Sequence, residues 1–124
     1  MQNASHHVAV LGASPKPARY ANQCIRLLKQ HGYRITPIHP RFEEVEALPV
    51  THSLDEITEP VDTLTLYVGP QLLEPQTEAI VRLRPGRVIF NPGTESRVVQ
   101  GQLDAAGIEW LEACTLVMVR TGQF

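Results

Sequence analysis

Five short apolar runs alternate with segments of helical period along this chain, and this alternation restricts the fold more than any other feature of the sequence. The runs are HVAVL (7–11), RITPI (34–38), VDTLTLYV (61–68), RVIF (87–90) and IEWL (108–111). Their length and apolar content predict β-strands. Because these strands are apolar on both faces and are separated by helices, they favour a parallel sheet that is covered on two sides.

The segments between the runs carry one apolar stripe each, which is typical of amphipathic helices. The stripes consist of Ala21, Cys24, Ile25 and Leu28; of Leu72, Ala79, Ile80 and Leu83; and of Val99, Leu103 and Ala106. They stop before Gly32, Pro85 and Gly107, and these residue types commonly end helices. In SLDEI, Ser53 and Glu56 have the spacing of a capping box, which predicts a further short helix. The tail segment TLVMV suits either an edge strand or a packed helical turn.

The resulting order of elements is β-α-β-α-β-α-β-α-β, which predicts one α/β domain over residues 1–124. Right-handed crossovers between parallel strands then give a Rossmann-like, doubly wound fold with a five-stranded, mainly parallel sheet. A chain of 124 residues is also the size at which one hydrophobic core is expected.

Composition and charge exclude several classes of protein. The chain is 43% hydrophobic and has a net charge of -2, so it offers no broad basic face for nucleic acid. Cys24 and Cys114 have neither the spacing of a metal site nor the density of a disulfide scaffold, so we expect no metal and a reducing, cytoplasmic location. The start MQNASHH does not resemble a leader, and no apolar run approaches the roughly 18 residues of a membrane span. We therefore expect no membrane partner.

The loops that follow the strands are the candidate site, because ligands of open α/β sheets bind beyond the carboxyl ends of the strands. These loops are GASPKPAR, HPRF, GPQ and NPGTES. In the first loop, Gly12 allows a tight turn, Ser14 offers a hydroxyl, and the following helix presents unpaired N–H groups. Lys16 and Arg19 add two positive charges. The first loop therefore predicts a phosphate-binding site.

The residue types in the first two loops narrow the choice of phosphate compound. A dinucleotide motif requires later glycines where this chain has Ser14 and Pro17, and an acidic residue where it has His39, Pro40 and Arg41. NAD is therefore disfavoured, and the lack of a Walker A sequence disfavours a nucleoside triphosphate. Arg41 suits an extra phosphate on an adenosine ribose. NADP and coenzyme A (CoA) are the two candidates that carry such a phosphate.

Several segments, in their order and spacing, resemble the small stand-alone CoA-binding proteins that are related to the CoA-binding domain of the succinyl-CoA synthetase alpha subunit. The resemblance runs from about Val8 to Cys114, and its carriers are VAVLGASPKPARYAN, ITPIHP, SLDEI before VDTLTLYV, and NPGTES. It implies CoA or an acyl-CoA as the small-molecule ligand. The chain departs from many relatives at NPGTE, where they have an aromatic or glutamine-bearing segment, and this implies a different shape where pantetheine would bind.

The resemblance also implies which residues contact CoA. The first loop would follow the phosphates, with Arg19 as an added phosphate contact. The second loop would meet the adenosine end, the turn after the third strand would lie beside the nucleotide, and the fourth loop would approach pantetheine. In chain order, the implied residues are Gly12, Ser14, Pro15, Lys16, Pro17 and Arg19; Pro40 and Arg41; Val68, Gly69 and Pro70; and Asn91 and Gly93.

The sequence predicts no set of catalytic residues. The synthetase relies on a phosphorylated histidine that lies outside its CoA domain. In this chain we expect His39 to be a polar loop residue, Cys114 to be a small buried residue, and Glu95 to be a carboxylate favoured by a helix dipole. These residues do not combine into a nucleophile, a base and an orienting group.

The leading hypothesis is therefore a protein that binds CoA or acyl-CoA and acts as a carrier, a sensor or a regulatory module. A first alternative is an NADP-binding reductase or a fragment of one, which Arg41 permits. A second alternative is a ligand-free interaction module. Pairing of two copies through the apolar TLVMV segment would give a homodimer.

Overall fold

The computed structural model describes residues 2–124 and has the predicted α/β architecture. Its strands are β1 (His7–Leu11), β2 (Arg34–Ile38), β3 (Glu44–Val45), β4 (Leu48–Pro49), β5 (Thr63–Leu66), β6 (Arg87–Phe90) and β7 (Glu109–Glu112). Its α-helices are α1 (Tyr20–Gln30), α2 (Pro70–Leu73), α3 (Thr77–Leu83), α4 (Arg97–Ala105) and α5 (Thr115–Arg120). Short 3-10 turns lie at Gln2–Ser5, Leu54–Glu56 and Glu74–Gln76.

Five strands form a parallel sheet in the order β2-β1-β5-β6-β7, which confirms the predicted fold class. The chain first adds β2 on one side of β1 and then continues with β5 on the other side. The direction of strand addition therefore reverses between β1 and β5. In sheets of this kind, such a reversal opens a crevice at the carboxyl ends of the two strands.

Strand β1 explains why the sequence shows unbroken apolar runs. Val8 and Val10 belong to an apolar cluster that includes residues of α1 and α5, whereas Ala9 and Leu11 belong to a cluster that includes residues of α3 and α4. All four side chains are at most 4% exposed. Since successive side chains of a strand point to opposite faces, helices must cover both faces of the sheet.

The tail segment TLVMV begins helix α5, which packs against α1, so the helical alternative is the right one. Leu116 and Val119 are buried in the same cluster as the apolar side of α1. These side chains are used in the core of their own chain, and the expected homodimer through this segment has no support. Within residues 2–124, no helix has the length and apolar character that a membrane crossing requires.

Two predicted helices differ from the structure. The helix expected between β5 and β6 is divided into α2 and α3 by a 3-10 turn that contains Pro75, a residue with no N–H for a helical hydrogen bond. The segment after Ser53 forms only a 3-10 turn, and Ser53 makes no side-chain cap bond. Its Oγ instead donates to Glu56 Oε2 at 3.2 Å. The expected capping box is therefore absent.

The antiparallel hairpin of β3 and β4 was not predicted. Its turn consists of Glu46 and Ala47, which have φ values of 50° and 63°. Two consecutive residues in this left-handed region are typical of a type I′ turn, a conformation that normally favours asparagine and glycine. The hairpin lies between β2 and β5 along the chain and packs beside β2.

Candidate functional site

A cleft of about 560 Å³ opens beside the carboxyl ends of β1 and β5, where the strand order reverses. Its walls come from the loop after β1, the loop after β2, the turn after β5 and the loop after β6. The fold brings part of the predicted site together here. The predicted residues that line the cleft are Gly12, Ser14, Lys16, Arg19, Val68, Gly69 and Gly93.

The remaining predicted residues lie outside the lining of the cleft. They are Pro15, Pro17, Pro40, Arg41, Pro70 and Asn91. Each of the six is a neighbour in sequence of a residue that does line it. Arg41 is exposed and stands between His39 and Phe42, both of which contribute to the wall. A long ligand that extends beyond the cleft would therefore pass close to Arg41.

The loop Gly12–Arg19 is attached to the end of β2 by its first residues. The N–H groups of Gly12 and Ala13 both donate to Ile38 O, at 3.0 and 3.1 Å. Gly12 has a φ of 93°, and a Cβ at this position would lie 2.8 Å from Val68 Cγ1 and 2.9 Å from Tyr67 O. Only glycine therefore permits this close approach between the loop and the end of β5.

Helix α1 begins directly at the cleft, and no side chain caps its first turn. Its N-cap is Arg19, in an extended conformation, and the first N–H with a carbonyl partner in the helix is that of Gln23, which donates to Arg19 O at 3.0 Å. The three preceding N–H groups therefore lack helical partners, and they carry the positive end of the helix dipole. This arrangement suits an anion.

Lys16 and Arg19 place two exposed cations beside this helix end, and both line the cleft. Within residues 2–124, neither side chain forms a salt bridge. No Asp or Glu side chain lines the cleft in this part of the chain. Two unpaired cations and the N-terminal end of a helix therefore face the same space, and this electrostatic environment suits a phosphate group.

His39 is a wall residue; it belongs to the candidate loop HPRF, in which only a polar loop role was expected for it. Its Nδ1 accepts a hydrogen bond from the N–H of Arg41 at 3.0 Å, and its ring packs on Phe42 with the centroids 4.1 Å apart. Burial, with the nearby Arg41 and His52, lowers the pKa of His39. The imidazole is therefore neutral at pH 7, with its proton on Nε2, because Nδ1 is an acceptor.

Asn91, which the resemblance implied as a CoA contact, is buried and does not line the cleft. It is 2% exposed, and its Nδ2 donates to Thr65 Oγ1 at 2.7 Å and to Leu66 O at 2.8 Å. Its Oδ1 accepts from Thr115 N at 2.9 Å. Because both ends of the amide are used, Asn91 connects β5 to the start of α5.

Two thiols lie near the cleft wall formed by Tyr67. Cys24 is 1% exposed, and burial raises its pKa to about 12, so it stays a protonated thiol. Burial likewise raises the pKa of Tyr67. Its hydroxyl is buried beside Cys24 without a hydrogen bond of good geometry. Cys114 is half-buried and is the N-cap of α5. It packs against the apolar cluster that contains Cys24. In residues 2–124, no group of three or more metal-ligating side chains comes together.

Sequence reasoning missed most of the apolar wall of the cleft. The lining residues that were missed are Ala13, Tyr20, Ala21, His39, Phe42, Tyr67, Leu72, Pro92 and Thr94. Tyr20 and Leu72 are 70% and 67% exposed, which is unusual for large apolar side chains. Each directly follows one of the candidate loops in the sequence, and this position is the signal by which it could be found. Their exposure at the rim provides apolar contact area for a ligand.

The fold and the cleft together define a doubly wound α/β domain with a crevice at its switch point that is lined by two cations. The model of a family described as "CoA binding domain" matches residues 6–120. The chain therefore belongs to the CoA-binding domain family, as the resemblance implied.

Two curated relatives match this chain over only part of its length and part of their own. An uncharacterized protein of Bacillus subtilis, YneT, is 30% identical over 63 residues, which span 51% of this chain and 47% of that protein. The ADP-forming acetate–CoA ligase I of Archaeoglobus fulgidus is 26% identical over 95 residues, which span 76% of this chain and 14% of the ligase. The chain thus spans less than half the length of each of these relatives.

Solved structures resemble the chain over nearly its whole length. A crystal structure of an uncharacterized protein has a TM-score of 0.91 and 39% identity, and the match covers 98% of this chain and 100% of that one. The Thermus thermophilus protein cell-free ID.343 has a TM-score of 0.88 and 32% identity, with coverage of 96% and 90%. The acetyl-CoA synthetase 1 of Ca. Korarchaeum cryptofilum shares the fold, with a TM-score of 0.74. Its identity to this chain is 17%, and the match covers 89% of this chain and 26% of the synthetase.

Proposed function

We propose that this protein binds CoA or an acyl-CoA in the cleft at the carboxyl ends of β1 and β5. The observation that carries the proposal is the presence of two unpaired cations, Lys16 and Arg19, beside an uncapped helix N-terminus in a chain of the CoA-binding domain family. Phosphates are the part of CoA that needs such a site. The position of the cleft at the switch point is also the usual one for nucleotides.

Each wall of the cleft has a proposed part in binding. Ser14, Lys16, Arg19 and the close turn at Gly12 hold the phosphates, while Pro15 and Pro17 limit the conformations of the loop. The second-strand loop, including Pro40, meets the adenosine, and the exposed Arg41 contacts its ribose phosphate. The turn Val68–Gly69–Pro70 lies beside the nucleotide, and Gly93 lies beside pantetheine. In this proposal Asn91 only supports the wall.

The proposed cellular role is that of a carrier, sensor or regulatory module in the cytoplasm. The ligase of Archaeoglobus fulgidus matches this chain over 14% of its own length, so most of that enzyme has no counterpart in the matched region. The cleft itself offers recognition groups, namely cations, N–H groups and an apolar rim. A binding role uses all of these groups.

Isothermal titration calorimetry with CoA, dephospho-CoA, NADP and ATP tests the proposed function. We expect CoA to bind more tightly than the other three ligands, because only CoA combines pantetheine with a 3′-phosphate that Arg41 can contact. Weaker binding of dephospho-CoA alone would support the role of Arg41. The absence of CoA binding at high micromolar concentration would overturn the proposal, and preferential binding of NADP would favour a reductase.

Removal of either cation from the cleft should weaken CoA binding. We expect Lys16→Ala and Arg19→Ala each to reduce the binding free energy by about 1 to 3 kcal/mol, the range for a charge-assisted contact. Arg120→Ala is the matched control, because Arg120 is an exposed cation on α5 that does not line the cleft. Equal affinities for the wild type and both cleft variants would show that the loop does not hold the phosphates.

A further inference from the structure

Asn22, on α1, has a buried side chain whose hydrogen bonds connect three parts of the chain. It is 0% exposed and does not line the cleft. Its Nδ2 donates to Ser14 O at 2.9 Å and to Glu46 Oε2 at 3.1 Å, and its Oδ1 accepts from Arg26 Nε at 2.7 Å. This one amide therefore joins the loop Gly12–Arg19, helix α1 and the turn of the β3–β4 hairpin.

Arg26 extends the same network to a second point of the loop. Its terminal Nη2 donates to Pro17 O at 2.9 Å, while its Nε is held by Asn22. The carbonyl oxygens of Ser14 and Pro17 thus point towards side chains of α1 that are outside the cleft. This matters for an anion site, because a carbonyl oxygen turned into the cleft would repel a phosphate.

The hairpin turn is held against α1 from two directions. Lys29 Nζ donates to Glu46 O at 2.6 Å, and the Glu46 side chain accepts from Asn22. Glu46 and Ala47 have φ values of 50° and 63°, a conformation that is costly for residues with a Cβ. The hydrogen bonds from Asn22 and Lys29 to Glu46 offset this conformational cost, so the strained turn is retained as part of the network.

We propose that the β3–β4 hairpin acts as a brace that holds the loop Gly12–Arg19 in its ligand-binding conformation, with Glu46 and Asn22 as positioning residues. Neither residue contacts the ligand. Glu46 fixes the Asn22 amide, and Asn22 then fixes the Ser14 carbonyl and, through Arg26, the Pro17 carbonyl. A loop ordered before binding avoids an entropic cost at the moment of binding. The identity of the ligand rests on the proposed function, whereas the order of the loop does not.

Comparison of Glu46→Ala with Glu46→Gln tests the brace. Alanine removes the acceptor for Asn22, whereas glutamine keeps an oxygen at the same distance from the backbone, and both retain a Cβ in the left-handed turn. We expect the amides of Lys16 and Arg19 to exchange hydrogen about 3 to 10 times faster in Glu46→Ala and at the wild-type rate in Glu46→Gln. Amides of β1 and β5 report global stability and should exchange at equal rates in all three proteins.

The dissociation constant for CoA is the second measurement. We expect it to rise about 3- to 10-fold in Glu46→Ala and to return to the wild-type value in Glu46→Gln. Unchanged loop exchange in Glu46→Ala would overturn the brace, whether or not the protein binds CoA. Faster loop exchange with unchanged CoA affinity would overturn the positioning role. A wild-type protein that does not bind CoA would instead overturn the proposed function, and the exchange experiment would still decide whether the brace exists.

Discussion

Gly12 lies where the loop after β1 passes over the end of β5. A methyl group there would stand 2.8 Å from Val68 Cγ1 and 2.9 Å from Tyr67 O, and the φ of 93° is unfavourable for any residue with a Cβ. One residue thus satisfies two requirements, a backbone conformation and a close approach. Gly93 has a similar φ of 94°, but a Cβ there would have no neighbour within 4 Å.

This contrast gives a prediction with an internal control. Gly12→Ala should lower the free energy of unfolding by about 2 kcal/mol or more, because strain and steric overlap act together. Gly93→Ala should lower it by about 1 kcal/mol, from backbone strain alone. Chemical denaturation of the two variants measures the difference. Equal losses of stability would mean that the loop can move away from Val68 and Tyr67 without cost.

Helix α1 combines a weak start with a position at the cleft. Arg19 makes no side-chain cap bond, and a positive charge at a helix N-terminus is unfavourable. Helix α4 differs, because Ser96 Oγ accepts from Val99 N at 3.3 Å and so caps its first turn. The absence of a cap at α1 leaves its N–H groups available for the proposed phosphates.

Substitution of Arg19 by serine should therefore separate stability from binding. A serine N-cap should raise the free energy of unfolding by about 0.5 to 1 kcal/mol, because it supplies the missing acceptor and removes the unfavourable charge. The same change should weaken CoA binding, since a cation is lost and the hydroxyl occupies an N–H group of the helix. Thermal denaturation and calorimetry on one preparation measure both effects. A variant that is less stable than the wild type would contradict this account of the helix start.

The predicted elements differ in how strongly local residues determine them. Strands such as β1 were identified from the sequence because burial on both faces leaves an unbroken apolar run. The β3–β4 hairpin was missed because its turn, Glu46–Ala47, has neither asparagine nor glycine, the usual signal. The conformation of this hairpin turn depends on Asn22 and Lys29. These two residues lie about two helical turns apart on α1, and both are far from Glu46 in sequence. Such long-range stabilisation leaves no local pattern.

For the molecule as a whole, an aromatic cluster joins the start of the chain to its last residue. The His6 ring stacks on Phe124 with the centroids 5.4 Å apart and meets Tyr33 edge-on at 5.3 Å. The Arg87 guanidinium lies 4.7 Å from the centroid of the Phe124 ring. His6 Nε2 and Arg87 Nε both approach Thr63 Oγ1, each at 2.9 Å. The cluster thus connects segments that are distant in sequence at the amino-terminal side of the sheet.

This cluster predicts how stability depends on pH. Burial is the main cause that lowers the pKa of His6 below its usual 6.5, while Asp62 opposes the shift and Arg87 and His7 add to it. The unfolded chain therefore binds a proton more readily than the folded one, and stability is lost as the pH falls from 6.5 through the lower folded pKa. Denaturation at about pH 7.5 and about pH 5.5 should show this loss.

The matched variant for this prediction is His6→Phe, which keeps a ring in the cluster but does not titrate. Its stability should fall less between the two pH values than that of the wild type. A remaining decrease is expected from His39, whose pKa is also lowered. An identical decrease in the wild type and in His6→Phe would show that protonation of His6 does not control the stability of the cluster.

The sequence by itself determined the alternation of strands and helices, and with it the fold class and the loops in which a ligand would be sought. Local burial creates these patterns, because each side chain that faces a core must be apolar in its own segment. Only the tertiary structure decided which loop residues meet. It turned Asn91 inwards, brought His39 and Tyr67 into the wall, and joined Asn22 to Glu46. These relations depend on strand order and on contacts between distant segments, which no local pattern of residues records.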